Sequence, residues 1–203
     1  MNQVRARDRR DGILDAALRV FARAGYHLAS VDEIAREART SKGGIYFHFP
    51  SKERLFLLLL DRAAAQLRAR VETAIAAAPD PVAKIEAALG AVLDAFASHR
   101  DLARLFLVEG VAAGQPIRQR LRALHDEFTS LIRDQLDDAV AAGAIAPIDT
   151  ALVAQAWFGA LNEVVTAWSH AEPPASLREA YWTLRRLFLR GVGLDPERSS
   201  EQP

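Results

Sequence analysis

The fold of this 203-residue chain is decided by one short stretch, Ser41-Lys42-Gly43-Gly44-Ile45-Tyr46-Phe47-His48-Phe49-Pro50-Ser51-Lys52-Glu53. Its first half is predicted to form a helix of about two turns, from Ser41 to Phe47, that ends before Phe49-Pro50. Each of its two adjacent glycines costs about 1 kcal/mol relative to alanine inside a helix, so the helix is marginal by itself. Glycine, however, allows a backbone to approach a phosphate or a groove wall closely.

A second short helix is predicted just before this stretch, from about Val31 to Ala38, with Ser30 and Glu33 as its capping box. Two short helices joined by a tight turn have the size of a helix-turn-helix. Side chains that can donate to phosphates or base edges surround the glycines: Thr40, Ser41, Lys42, Tyr46, His48 and Lys52. The alternative is a plain loop between two core helices, in which serine and threonine act only as caps.

The charge of the chain is distributed unevenly. Residues 1–54 contain 11 Lys and Arg against 7 Asp and Glu, whereas residues 55–203 contain 15 against 19, so the net charge of zero is a cancellation. A basic N-terminal segment on a mildly acidic body predicts that a polyanionic partner binds the N-terminal segment.

The remaining sequence predicts an all-α fold with nine helices and no sheet, because apolar residues recur at helical spacing and no stretch alternates with period two. The first helix spans about Arg9 to Ala24, with Gly25 just beyond its end. The fourth is long, from the cap Ser51 to about Ala78. The others are expected over about 82–97, 101–114, 116–142, 150–171 and 176–190. Asp80 is expected to cap the fifth helix, and Ser176 with Glu179 to form a second capping box.

Several classes of protein are excluded or disfavoured. The absence of cysteine excludes disulfides, thiolate zinc sites and a cysteine nucleophile. No Walker loop, His-Glu-x-x-His run or Gly-x-Ser-x-Gly elbow occurs, so we expect neither an enzyme nor a cofactor. His125-Asp126-Glu127 are consecutive on a helix and diverge by about 100° each, so no metal site is expected. With no apolar run of membrane-spanning length and no secretory signal, a cytoplasmic protein is expected.

The N-terminal sequence resembles the DNA-binding domain of TetR-family transcriptional regulators. The resemblance covers about residues 9–56 and rests on Ile13-Leu14-Asp15-Ala16-Ala17, Phe21, Gly25-Tyr26, residues 30–35 and residues 38–53. It implies a helix-turn-helix DNA-binding domain over 1–50 and an effector-binding and dimerisation domain over 51–203. It also implies that these residues contact double-stranded DNA: Ser30, Val31, Thr40, Ser41, Lys42, Gly43, Tyr46, His48 and Lys52.

The chain departs from the family pattern at two turn positions. Arg39 stands where the family usually has glycine, so a residue with a β-carbon must adopt the turn conformation at some cost. Thr40 replaces a small aliphatic residue, which removes some packing and adds a hydrogen-bond donor. Both departures leave open which residues read bases rather than phosphates.

The C-terminal helices are expected to bind a hydrophobic effector and to form a homodimer, as the resemblance implies. Apolar stripes on the helices after Thr150 and Ser176 are compatible with a twofold interface, or with packing inside one protomer. An effector site needs an apolar, aromatic lining with few polar anchors, for which the candidates are Phe96, Leu102, Leu105, Phe106, Glu109, Phe128, Trp157, Phe158 and Asn162. The alternative is that most of these are ordinary core residues.

A weaker resemblance concerns the effector itself. Residues 99–105 and 158–168 are similar to the regulators of fatty-acid degradation within the family, which respond to long-chain acyl-CoA. The resemblance implies a repressor that sits on a palindromic operator as a dimer and is released when the effector shifts the C-terminal helices. An all-helical ligand-binding protein without DNA-binding activity is the alternative from another class.

Overall fold

The computed structural model describes residues 2–105, 107, 114–172 and 176–194. These residues form nine helices and no strand, which confirms the predicted all-α fold. The helices are α1 (Asn2–Leu28), α2 (Val31–Glu37), α3 (Lys42–His48), α4 (Lys52–Ala77), α5 (Pro81–Ser98), α6 (Arg100–Arg104), α7 (Gln115–Ala141), α8 (Thr150–His170) and α9 (Leu177–Gly191). None of the helices in the described ranges is long and apolar enough to cross a membrane.

The bounds of α1 and α6 differ from the prediction. α1 begins at Asn2 rather than near Arg9, because the charged residues before the apolar stripe also favour helix. Gly25 interrupts it at φ 75° and ψ 166°, a conformation that glycine adopts at low cost, and the chain makes one further turn through Leu28. The helix predicted over 101–114 is described only in part, since Phe106 and residues 108–113 lie outside the described residues.

Local capping signals were predictive at α2 and α5 but not at α9. Asp80 caps α5 by accepting a hydrogen bond from the backbone N–H of Ala83 at 2.8 Å, as expected. The capping box predicted for Ser176 and Glu179 is wrong, because the Ser176 side chain makes no capping hydrogen bond. Instead the backbone N–H of Glu179 donates to the backbone carbonyl of Ser176 at 3.1 Å, so the first turn closes through the main chain.

The chain divides into two compact units, the first made of Met1–Ala65 with Asp101–Arg122. Its core is aromatic and aliphatic, and the ring of Phe21 meets that of Phe56 edge-on at 5.3 Å. In this unit α2 packs against both α1 and α3. The division between units falls within α4, whereas the sequence placed a domain boundary at residue 50, the end of the helix-turn-helix.

The second unit consists of Gln66–Arg100 with Ala123–Pro203. α9 packs against α5 and α8, and the rings of Trp157 and Phe188 stack at 4.7 Å with 13° between their planes. Part of the predicted apolar stripes is therefore core. The other part faces outward, since Leu152 on α8 and Leu187 on α9 are exposed, and Trp182, outside the predicted stripes, is exposed as well.

Candidate nucleic-acid interface

The start of α2 is a closed hydrogen-bonded ring between Ser30 and Glu33. The Glu33 carboxylate accepts from the Ser30 backbone N–H at 3.0 Å and from its hydroxyl at 2.9 Å, while the Glu33 N–H donates to that hydroxyl at 3.2 Å. These hydrogen bonds, the backbone one first, hold the pKa of Glu33 below its ordinary value. The predicted capping box is confirmed. The Ser30 hydroxyl is thus engaged within the box, and Val31 beside it is buried.

The turn from α2 to α3 is a left-handed helix end occupied by arginine. The N–H of Thr40 donates to the carbonyl of Ala35 at 2.9 Å, and that of Arg39 to the carbonyl of Arg36 at 3.2 Å, which is the bonding pattern of a Schellman motif. Arg39 has φ 51°, so a residue with a β-carbon does adopt the left-handed turn conformation, as expected. Glycine would favour the conformation of this turn, but the position is occupied by Arg39, whose side chain is exposed.

The first turn of α3 contains the cap Ser41, then Lys42, and then Gly43 and Gly44, which have different neighbouring atoms. Ser41 caps the helix by accepting from the Gly44 N–H at 3.0 Å. The ammonium of Lys42 lies 2.8 Å from the carboxylate of Asp32 at an exposed position, and this hydrogen bond raises the pKa of Lys42. A β-carbon at Gly43 would have only Ser41 Oγ within 4 Å, at 3.9 Å, so this backbone is open to a partner.

The two faces of α3 have opposite character. Ile45 and Phe49 are buried, as predicted. One turn beyond Lys42 and Gly43, the opposite face carries Tyr46, 44% exposed, and Phe47, 85% exposed. Phe47 is thus almost fully open to solvent beside Tyr46, so its ring is available to a partner.

The sequence did not single out Phe47. The signal that could have found it is its spacing of four residues from Gly43, which puts both on one side of a helix. His48 is half-buried beside it, with 5.1 Å between the two ring centroids, so His48 lies at the edge of the exposed face.

Lys52 occupies a different place from the other predicted DNA contacts. Its ammonium donates to the carbonyls of Tyr26 at 2.9 Å and His27 at 3.2 Å, in the last turn of α1, and of Ala29 at 3.1 Å, just beyond it. It also lies 4.7 Å from the centroid of the Tyr26 ring. The predicted phosphate contact would require the ammonium to leave these four partners.

The predicted effector residues are distributed over both units. Trp157 is buried against Phe188, and Phe158 lies with its ring 4.2 Å from that of His125. The second unit also contains Phe96, Phe128 and Asn162, all partly buried. In the first unit Leu105 is buried and Leu102 partly buried, while Phe106 and Glu109 lie outside the described residues.

The second unit contains buried polar atoms that the sequence did not point to. Among the described residues, four such atoms make no hydrogen bond: Arg100 Nε, Thr129 Oγ1, Gln135 Oε1 and Thr166 Oγ1. The rest of the Arg100 side chain holds the end of α8, since its Nη2 donates to the carbonyls of Ala171 at 2.5 Å and Trp168 at 3.3 Å. Buried polar groups almost always have a partner, so each of these four atoms has hydrogen-bonding capacity left for a water molecule or a ligand.

Two family models match the chain. The model for bacterial regulatory proteins of the tetR family matches residues 13–59, which include α2 and α3. The model for a tetracyclin repressor-like C-terminal domain matches residues 78–192, more than half of the chain.

Individual relatives extend over most of the chain. The fatty acid metabolism regulator protein of Bacillus subtilis is 27% identical over 77% of this chain and 81% of its own length. The regulator RutR of Escherichia coli is 33% identical over 70% of this chain and 66% of its own. Among solved structures, the regulator FadR of Bacillus subtilis in complex with stearoyl-CoA is 25% identical, with a TM-score of 0.83 over 89% of this chain and 98% of that one.

Proposed function

The chain belongs to the TetR family of bacterial regulatory proteins, and we propose that it is a ligand-responsive repressor. In this proposal a dimer binds a palindromic operator and is released by a hydrophobic effector of the long-chain acyl-CoA class. DNA and effector favour different populations of one conformational equilibrium, so each weakens the binding of the other by the same factor.

The observation that carries the DNA-binding proposal is the division of α3 into two faces. Its buried face fixes the helix on the first unit, and its outward face offers an ammonium, a phenol and an apolar ring to a groove. An ammonium or a phenol can meet a phosphate or a base edge, and an exposed aromatic ring can contact a thymine methyl group. On binding DNA, the Lys42 ammonium would leave the exposed carboxylate of Asp32, 2.8 Å away, and contact the DNA instead.

The chain offers a matched test, because it contains only three lysines, one of which, Lys84, lies on α5 in the second unit. Fluorescence anisotropy with the DNA upstream of the gene, titrated over a range of salt concentrations, measures affinity and its salt slope. Lys42→Ala should weaken binding and lower the slope by about one, the value for one phosphate contact. Lys84→Ala makes the same change in net charge and should leave both unchanged. Equal effects of the two substitutions would contradict the proposed interface.

The effector proposal rests on two observations. The relative solved in complex with stearoyl-CoA has the same fold over nine-tenths of this chain, and another relative is named a fatty acid metabolism regulator. The second unit contains both aromatic side chains and buried polar atoms without a hydrogen-bond partner. An acyl-CoA carries both a long apolar chain and amide and hydroxyl groups, so it suits such a mixture better than a hydrocarbon alone.

Thermal-shift measurements test whether binding requires the acyl chain, the CoA group or both. Palmitoyl-CoA should raise the melting temperature and release the operator, whereas palmitate alone, CoA alone and small aromatic drugs should do so less. Thr129→Val replaces an unpartnered buried hydroxyl by a methyl group and should reduce the shift caused by palmitoyl-CoA. Thr73→Val is the control, because that hydroxyl is exposed and bonded to the carbonyl of Ala69. No shift with palmitoyl-CoA would contradict the acyl-CoA proposal and leave DNA binding intact.

The dimer proposal concerns α8 and α9. Among the described residues of the second unit, the large apolar side chains that remain exposed are Leu152, Trp182 and Leu187. Covering them with a second copy would remove apolar surface from water, which favours association. Analytical ultracentrifugation should find twice the mass of one chain, and a monomer at micromolar concentration would contradict the proposal.

A further inference from the structure

The turn between α2 and α3 holds Arg39 in a backbone conformation that costs an arginine free energy. Its φ of 51° is the one positive φ of a residue other than glycine in the described ranges. The N–H of Thr40 donates to the carbonyl of Ala35 at 2.9 Å and holds the turn in this form. Glycine would make the same main-chain hydrogen bonds without the strain, so the turn itself gains nothing from an arginine.

The guanidinium of Arg39 is not used by the part of the chain that the structure describes. The side chain is exposed, and it forms no ion pair and no hydrogen bond with any described residue. The carboxylates of the preceding helix, α2, are all engaged with other groups: Glu33 with Ser30, Asp32 with Lys42 at 2.8 Å, and Glu37 with Arg19 at 2.7 Å. No acidic side chain of α2 is therefore left to neutralise Arg39.

The position and the chemistry of Arg39 suit a contact with DNA. Consecutive α-carbons are about 3.8 Å apart, so the α-carbon of Arg39 lies within about 8 Å of that of Ser41, the cap of α3. A guanidinium is planar and can donate two parallel hydrogen bonds to one phosphate. Lys42 must leave the Asp32 carboxylate before it can meet a phosphate, whereas Arg39 has no ion pair to give up among the described residues.

We propose that Arg39 contacts a phosphate of the operator from this turn, and that the chain accepts a strained backbone in exchange for the contact. The inference rests on the proposed function, because it adds a residue to the DNA interface that we assign to α2 and α3. The family resemblance implied no DNA contact for Arg39. Strained backbone persists where the surrounding structure fixes it, and it clusters at functional sites. Arginine at this position thus lowers the stability of the protein and raises its affinity for DNA.

The test compares Arg39→Gly with Arg39→Lys in the full-length protein. Anisotropy measures affinity for a duplex from upstream of the gene between about 50 and 200 mM salt, and urea denaturation measures stability. One phosphate contact adds about 0.9 to the salt slope, so the ratio of wild-type to Arg39→Gly affinity should fall about 3.5-fold over that range. Arg39→Gly should also lower the equilibrium constant of unfolding about fivefold, because the strain is relieved. Arg39→Lys keeps the charge and the β-carbon, so it should retain the wild-type slope and stability.

A second variant and a second duplex serve as controls. Arg70 is exposed on α4 and belongs to the second unit, so Arg70→Ala makes the same change in net charge away from α2 and α3 and should leave the salt slope unchanged. A duplex of the same length with a scrambled sequence separates a phosphate contact from a base contact. Arg39→Gly should weaken binding to both duplexes by the same factor, because a phosphate contact carries no sequence information.

The possible results separate this inference from the proposed function. A protein that becomes more stable and yet binds DNA more weakly supports the inference, since a loss of binding through misfolding would come with a loss of stability. If the wild-type protein binds the upstream duplex and Arg39→Gly binds it with the same affinity and slope, only the inference is overturned. A loss confined to the upstream duplex would make Arg39 a base contact and overturn the phosphate assignment. If the wild-type protein binds neither duplex, the proposed function fails and the inference with it.

Discussion

Alanine at Gly43 should stabilise the protein and yet weaken its binding to DNA. A β-carbon placed there has no atom closer than Ser41 Oγ at 3.9 Å, so the free protein accommodates it without any movement. The neighbouring Gly44 is the contrast, because a β-carbon there would lie 2.6 Å from Thr40 Oγ1. Both glycines belong to the same seven-residue helix, so the two substitutions differ mainly in what the new methyl group meets.

The expected changes in stability follow from these distances. Alanine is preferred over glycine in a helix by about 0.5–1 kcal/mol, and Gly43→Ala should gain about that much. Gly44→Ala gains the same preference but must displace the Thr40 hydroxyl, at a cost of about 0.5–1.5 kcal/mol if the side chain leaves its preferred rotamer. Its net effect should therefore be close to zero. Thr40→Ala removes the obstructing hydroxyl. In the double mutant Gly44→Ala/Thr40→Ala, the two changes in the free energy of unfolding should therefore be non-additive by about the cost of displacing that hydroxyl.

Urea denaturation measures the free energy of unfolding, and anisotropy measures operator affinity. If the backbone of α3 at Gly43 lies against DNA, the methyl group should weaken binding about tenfold, or about 1.4 kcal/mol, although the protein itself is more stable. A gain in stability with unchanged operator affinity would refute the close approach. A loss of stability would refute the assignment of open space around Gly43.

Three further predictions concern the turn, the capping box and the exposed face of α9. Arg39→Gly should raise the free energy of unfolding in urea by about 1 kcal/mol because φ 51° suits glycine, whereas Arg36→Gly, inside α2, should lower it by about as much. Because the pKa of Glu33 is lowered in the folded protein, its stabilising effect is present at neutral pH and is lost as the pH falls through that lowered pKa. Glu33→Gln should therefore make the free energy of unfolding less dependent on pH below about pH 4. An unchanged pH dependence would contradict this. Trp182, 67% exposed, is expected in the dimer interface, so Trp182→Ser should shift sedimentation towards the monomer, and an unaltered dimer would place the interface elsewhere.

The sequence was most informative where a structure depends on residues a few positions apart. The capping box of Ser30 and Glu33 and the cap at Asp80 were predicted because each side chain bonds to a backbone group three residues away. A second local signal is a glycine just beyond a helix end, and Gly143 after α7 has φ 70°, a conformation that glycine favours. The all-α fold was equally predictable, because apolar periodicity is itself a local pattern.

The same local rule failed at Ser176 and Glu179, which carry the capping-box signature without its side-chain bond. A capping-box sequence indicates only that the hydrogen bond between the side chain and the backbone is sterically possible. The surrounding structure determines whether the serine hydroxyl forms it. The buried polar atoms that we propose for the effector could not be predicted for a different reason. Thr129 and Thr166 are ordinary helix residues in the sequence, and only the absence of a partner in the folded unit distinguishes them. No pattern of residue types encodes that absence.

Lys42 and Lys52 show why the predicted interface needed coordinates. Lys42 is the first residue of α3 and Lys52 the first of α4, and the family resemblance implied a DNA contact for both. In the structure Lys42 pairs with an exposed carboxylate, which a phosphate can replace, whereas Lys52 binds carbonyls of the main chain, which carry no side-chain signature at all. Sequence patterns compare side chains, and every residue except proline offers the same backbone groups. Hydrogen bonds to backbone acceptors more than twenty positions away, such as those of Lys52, are therefore outside what such patterns can detect.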